Sequence, residues 1–371
     1  MKSLDTSKRL LSLDVLRGIT ISFMILVNTP GSWTYVYSPL RHAKWHGCTP
    51  TDLVFPFFLF IVGISVWFSF KKYETQLSTV TFFKIIKRTA IIFLIGLFLN
   101  LYPFFNFSEV RIMGVLQRIA LAYGVGAIMC LSLNRRGLLI ALFAILLGYW
   151  GVMGFGAEDL VSLENNRVRS LDLWLLGEQH IYKGFGIPFD PEGILSAIPS
   201  VGTVIIGFFI GQILSVNSAV VSKIRKLIVV GTIMVILGLI WGVWFPINKP
   251  IWTSSYVLYT AGIGCGFLAV LIFIIDYKGF RKWTVPFVHF GMNPLFIFVI
   301  SGLYVKTMSY LIHVNDKVVG EKVSGYKYLF EHIFSPLAGP MNGSLLFALV
   351  HILVFWFVCY FLYKRKIFIK I

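Results

Sequence analysis

Residues 52–72 read DLVFPFFLFIVGISVWFSFKK. Between Asp52 and Lys71 no side chain carries a charge, and the run closes on two lysines. As a helix, such a run is long enough to cross the ~30 Å hydrocarbon layer of a bilayer. Its apolar residues keep no single face, so in water every side would need covering, whereas in lipid none does. The rest of the chain repeats the pattern. Of 371 residues 57% are apolar, 13% are charged and 35 are Phe. A soluble domain carries about 25% charge, so this chain lacks the polar surface to dissolve.

The same reading gives ten apolar segments, at roughly 12–29, 52–70, 84–102, 112–133, 137–155, 193–215, 224–245, 252–275, 287–310 and 345–363. The fold class is all-α: one polytopic transmembrane helix bundle over 1–371, with its longest connections at about 156–192 and 311–344. The latter is read as an outer loop preceding the last span. Lys and Arg collect in short cytoplasmic loops. With the N-terminus placed inside, the inner segments hold 20 basic residues and four acids, and the outer ones 11 basic residues and 12 acids. Both termini are then cytoplasmic. The net charge of +17 is therefore a topology signal and not a nucleic-acid footprint. Lys2, Lys8 and Arg9 precede the first run without a small-residue cleavage site, which reads as an uncleaved span. Cys48, Cys130, Cys265 and Cys359 are widely separated and show no metal or disulfide spacing.

Polar groups inside hydrocarbon are costly and mark function by default. Here they gather near the outer ends of the spans. His42 is the candidate for chemistry, because an imidazole exchanges protons near neutral pH. It is a candidate general base, or else an ordinary loop histidine. His46, four residues on, and Cys48 raise a metal site, but Gly47 and Pro50 interrupt the helix that would align them, and no metal is expected. Asp52 has two readings, a helix-start carboxylate favoured by the dipole or a partner that orients His42. Arg118 lies in apolar surroundings and needs an anion or polar partner, with Asp14, Asp52, Asp190 and Glu192 as candidates. Asp14 and Arg17 are three apart and can pair on one face, or Arg17 can meet a phosphate. Asp190 and Glu192 flank Pro191 just before a span, where acids are ordinary.

Six strings occur in order: LDVLRGITISFMILVN, HAKWHGCTPTDLVFPFFLFIVG, RIMGVLQRIALAYG, FDPEGILSAIPSVGTVIIGFFIGQ, PINKPIWTSSYVLYTAGIG and VPFVHFGMNPLFIFV. Together they resemble the heparan-α-glucosaminide N-acetyltransferase family, in its compact bacterial form, over about residues 10–310. The resemblance implies a membrane enzyme that moves acetyl from cytosolic acetyl-CoA to the amine of a terminal glucosamine or related amino sugar on the far side. It implies that His42 is the catalytic residue, with Asn28, Asp52, Arg118, Asn248, Lys249 and Asn293 as pocket residues. Asn28 and Asp52 then assist His42. Arg17, Asp190 and Glu192 complete the candidate set for binding substrate or CoA. It also brings the expectation of a homodimer, and of a bacterial inner membrane with the His42 loop periplasmic. One position departs: the family commonly has Asn where this chain has His46, which leaves that residue unexplained. Two other functions stay open, an acyltransferase for another cell-envelope glycan and a transporter of a small polar solute.

Overall fold

The computed structural model describes residues 10–316 and 320–369. Lys2, Asp5, Lys8, Arg9, Lys317 and Lys370, counted above for topology, lie outside the described residues. The chain is helical almost throughout. Its helices are α1 (Leu11–Asn28), α2 (Val54–Phe70), α3 (Thr79–Leu101), α4 (Val115–Ser132), α5 (Arg135–Val152), α6 (Arg167–Leu176), α7 (Ile194–Ser215), α8 (Val220–Trp241), α9 (Ser254–Leu271), α10 (Val285–Met292), α11 (Pro294–Tyr310), α12 (Gly325–Leu329) and α13 (Ser335–Lys364). One small antiparallel hairpin, β1 (His313–Asn315) with β2 (Lys322–Ser324), pairs Val314 with Val323.

Each of the ten apolar segments contains a helix near its predicted place. Among the described residues, eight helical stretches are long and apolar enough to cross a membrane, and the bent pair α10–α11 makes nine. α3 differs because Lys84, Lys87 and Arg88 occupy its first half and only the second half is apolar. Polar residues start several helices. Ser78 accepts from the Thr81 amide, Asn134 from Gly137, and Thr253 from Tyr256, each capping a helix N-terminus.

Two expectations are corrected. Residues 325–344 are not loop: α12 begins at Gly325 and the chain stays helical into α13, broken where Gly339 takes φ 77° before Pro340. The span read as 287–310 is not straight. It bends by 74° at Asn293, where Pro294 starts α11.

Without a hydrophobic drive between helices in lipid, close approach of small residues holds them together. α2 and α7 show this. A Cβ on Gly63 would lie 2.0 Å from the Val204 carbonyl oxygen, and one on Gly207 would lie 2.2 Å from that of Phe60. α7 and α9 form the buried centre with α1, α2 and α4, while α5 and α8 turn wide faces outward. The helix ends alternate. Asn28, Asp52, Arg118, Glu192, Lys249 and Thr253 fall at one end, and Lys71, Arg135, Lys223, Arg281 and Lys364 at the other.

Candidate active site

His42 lies in the connection between α1 and α2. Its Nδ1 is 2.6 Å from Oδ1 of Asp52, ten residues on. Asp52 is buried on the short 3-10 turn Pro50–Leu53 that leads into α2. Its Oδ2 accepts the backbone N–H groups of Ala43 and Thr49, each at 3.0 Å. Both readings of Asp52 therefore hold at once, because one oxygen caps the turn and the other faces the imidazole. The hydroxyl of Tyr256 donates to the Asp52 carbonyl at 2.6 Å and pins the turn to α9. A carboxylate whose second oxygen is filled by amides can only accept from the histidine. Nδ1 of His42 thus carries the ring proton, and its Nε2 presents a lone pair. Half of the His42 side chain is open to solvent.

Lys249 comes from the turn between α8 and α9. Its Nζ is 3.1 and 3.4 Å from the two ring nitrogens of His42 and 3.6 Å from Asp52 Oδ1. Burial lowers its pKa below the ordinary lysine range, against the pull of Asp52 and Glu192. The neighbouring Asn248 is fully buried and acts on the backbone. Its Oδ1 accepts Ile251 N–H at 2.9 Å, and its Nδ2 donates to the Trp45 carbonyl at 3.0 Å. Gly47, at φ 106°, donates to the Ile247 carbonyl at 2.7 Å, so the histidine loop is tied to this turn. Cys48 stands nearby, but burial and the charge of Asp52 push its pKa up to about 12. It stays a thiol and is no nucleophile near neutral pH.

Asp190 and Glu192 meet Arg111, a residue that the sequence reading passed over. Arg111 binds Asp190 bidentately, at 2.9 and 2.7 Å, and also Glu192. Two acids buried before α7 call for a counter-charge, and that was the one available signal. Arg118, wholly buried on α4, pairs with no carboxylate among the described residues. It donates to Ser196 Oγ and to the Gly193 carbonyl, with its guanidinium 5.1 Å from the Trp252 ring centroid. These groups brace the start of α7. Asp172 joins them from α6, accepting Ile194 N–H at 2.9 Å. Burial raises its pKa to about 7. Asn28 is exposed at the C-terminal end of α1.

Arg17 and Asn293 are elsewhere. Arg17 pairs with Asp14 at 3.2 Å, as the spacing indicates, and donates to Ser65 Oγ at 2.9 Å. It lines a cavity of about 670 Å³ that opens at the basic end of the bundle, with Lys71, Arg88, Ser65 and Ser69. Asn293, at the α10–α11 bend, holds the C-terminal tail: Nδ2 donates to the Ile367 carbonyl and Oδ1 accepts Ile369 N–H. Ile369 lies on the cavity wall.

The cavity does not reach His42. Its lining on α2 ends at Phe58, six residues beyond Asp52. At 1.5 Å per helical residue the separation along α2 is about 9 Å, while on α4 the lining begins at Leu116. Near this end of α1 and α2, Met24, Ile25, Val27 and Val54 are buried in one apolar cluster, with Leu40 and Phe58 packed against it.

Residues 9–242 match a family model described as "Heparan-alpha-glucosaminide N-acetyltransferase, catalytic". The chain belongs to the heparan-alpha-glucosaminide N-acetyltransferase family. A human heparan-alpha-glucosaminide N-acetyltransferase is 31% identical over 356 residues, covering 78% of this chain and 52% of the human protein. The mouse protein of the same name is 27% identical over 358 residues, covering 80% and 53%. The chain thus spans about half the length of the curated relatives it matches. His42, Asp52, Arg111, Arg118, Asp190 and Glu192 lie inside the family-model match, whereas Asn248, Lys249 and Asn293 lie beyond it.

Proposed function

We propose that this chain is a transmembrane acetyltransferase that takes acetyl from acetyl-CoA on the cytoplasmic side. It delivers the acetyl group to the amine of a terminal glucosamine or related amino sugar on the other side. The observation that carries the proposal is the His42–Asp52 pair, with the Nε2 lone pair beside the Lys249 side chain. It sits at the opposite end of the bundle from a basic-mouthed cavity. Family membership supports the reaction class, and the alternation of basic residues supports the sidedness, with both termini cytoplasmic.

Arg17, Lys71 and Arg88 suit the phosphates of CoA, since cationic side chains bind them as point charges or forks. The pantetheine arm follows the cavity towards α2 and crosses the apolar layer when that layer parts. His42 Nε2 then takes a proton from the attacking amine. The amine nitrogen bonds to the thioester carbon, and the oxyanion forms beside the Lys249 ammonium, with Asn28 as a second donor. The C–S bond breaks on collapse. The proton held by His42 goes to the departing sulfur, which leaves as CoA thiol. Asp52 holds the imidazole in the tautomer that leaves Nε2 unprotonated. Arg118, Asp190, Glu192 and Asn248 shape the acceptor side through the turns they brace.

The test is reconstitution in liposomes, with acetyl-CoA on one face and glucosamine on the other, following free thiol and N-acetylglucosamine together. Stoichiometric appearance of both is expected. Uptake of sugar without thioester consumption would make the chain a transporter. Labelled acetyl-CoA supplied alone checks direct transfer, which stable label on His42 would refute in favour of an acetyl-histidine intermediate.

A further inference from the structure

His46 has no part in the chemistry above, yet its hydrogen bonding is defined. Asn248 Oδ1 faces the Ile251 amide and its Nδ2 faces the Trp45 carbonyl. Reversing the side-chain amide would set N–H against N–H and oxygen against oxygen, so this orientation is fixed. The second hydrogen on Nδ2 meets His46 Nδ1 at 3.3 Å. Nδ1 must then offer its lone pair, and the ring proton sits on Nε2. Desolvation by its surroundings lowers the pKa of His46, which favours the same neutral form. The residue remains exposed, with the Trp45 ring edge-on at 6.2 Å between centroids.

The two imidazoles therefore have opposite polarity. His42 gives its Nδ1 proton to Asp52 and presents a lone pair at Nε2. His46 takes a hydrogen at Nδ1 and presents N–H at Nε2. They touch neighbouring residues of one turn, His42 at Lys249 and His46 at Asn248. An amino sugar offers a matching pair, an amine that loses a proton and hydroxyl oxygens around the same ring that accept a hydrogen bond.

We propose that His46 is a specificity-determining residue of this transfer, donating from Nε2–H to a hydroxyl oxygen of the sugar whose amine lies against His42. The inference rests on the acetyltransferase reading and deepens it. A histidine that merely braces the loop would affect all acceptors alike.

The experiment compares glucosamine with its 3-deoxy, 4-deoxy and 6-deoxy analogues in wild type, H46F, H46A and H46Q. Loss of one neutral hydrogen bond raises the acceptor KM about tenfold. In H46F that rise is expected for glucosamine, with the KM for acetyl-CoA unchanged. One deoxy analogue should be poor with wild type and lose nothing further in H46F. H46Q keeps a donor and should recover part of the discrimination, and H46A serves as the second donor-free variant should H46F not fold. An active wild type whose variants lose equally on every analogue, or whose acetyl-CoA KM moves in step, overturns the role of His46 alone. A wild type inert with every amino sugar overturns the acetyltransferase reading and this inference together.

Discussion

Replacing Asp52 with Asn tests the base assignment through a single atom. In the native chain Oδ2 accepts two backbone N–H groups at 3.0 Å each, and Oδ1 faces His42 Nδ1 at 2.6 Å. An asparagine must keep its carbonyl oxygen on the two amides, because an NH2 group there would confront both. Its NH2 therefore turns to His42. Nδ1 becomes the acceptor, the ring proton moves to Nε2, and the lone pair that should receive the amine proton is gone. In a serine protease triad the same exchange lowers kcat about 10⁴-fold. At 1.36 kcal/mol per decade this adds about 5 kcal/mol to the barrier. Folding should suffer far less, since both amide contacts survive. The assay is CoA thiol release with glucosamine in nanodiscs, with acetyl-CoA binding and thermal unfolding as controls. A D52N protein that binds acetyl-CoA and keeps kcat within tenfold of wild type would refute the tautomer argument.

Three further outcomes follow from the same geometry. His42→Ala should lower transfer at least about 10³-fold while labelled acetyl-CoA still binds in equilibrium dialysis; retained turnover would remove His42 from the mechanism. Arg111→Met strands Asp190 and Glu192 as buried, uncompensated acids, at a cost of about 3–5 kcal/mol, so its unfolding temperature should fall well below wild type; an unchanged Tm would mean that the pair is not held as described. Asp172 has a folded-state pKa of about 7, above the ordinary value for Asp. Its folded form therefore keeps a proton that the unfolded chain releases. Its contribution to stability is complete below about pH 4, declines towards pH 7 and then levels. Asp172→Asn should flatten the dependence of Tm on pH across that window, and an unaltered slope would assign it to other groups.

The bundle was legible because lipid imposes one requirement, long uncharged helices with basic cytoplasmic ends, and residues 53–70 meet it without help from the rest of the fold. The His42–Asp52 pair was half legible. Thr49-Pro50 marks the start of a helix, so an acid at position 52 is expected to cap it, but only the folded loop shows that its other oxygen meets a side chain ten residues back. Arg111 escaped because its partners lie 79 and 81 residues away, and no periodicity links them. The tail contacts of Asn293 escaped for a related reason. The resemblance alone made it a pocket residue, and its contacts to the C-terminal tail were not readable because they lie 74 and 76 residues away. The helical stretch before residue 345 was missed because Gly339-Pro340 reads as a stop, while the chain only kinks there.

The apolar layer of Met24, Ile25, Val27 and Val54 also bears on how a cell can tolerate such a protein. A standing file of water between the two faces would leak protons down a gradient worth about 2.3 kcal/mol per charge at 100 mV. On the proposed mechanism, an apolar layer about 9 Å deep that parts only around a slender thioester arm would let acetyl groups cross singly while the membrane stays charged.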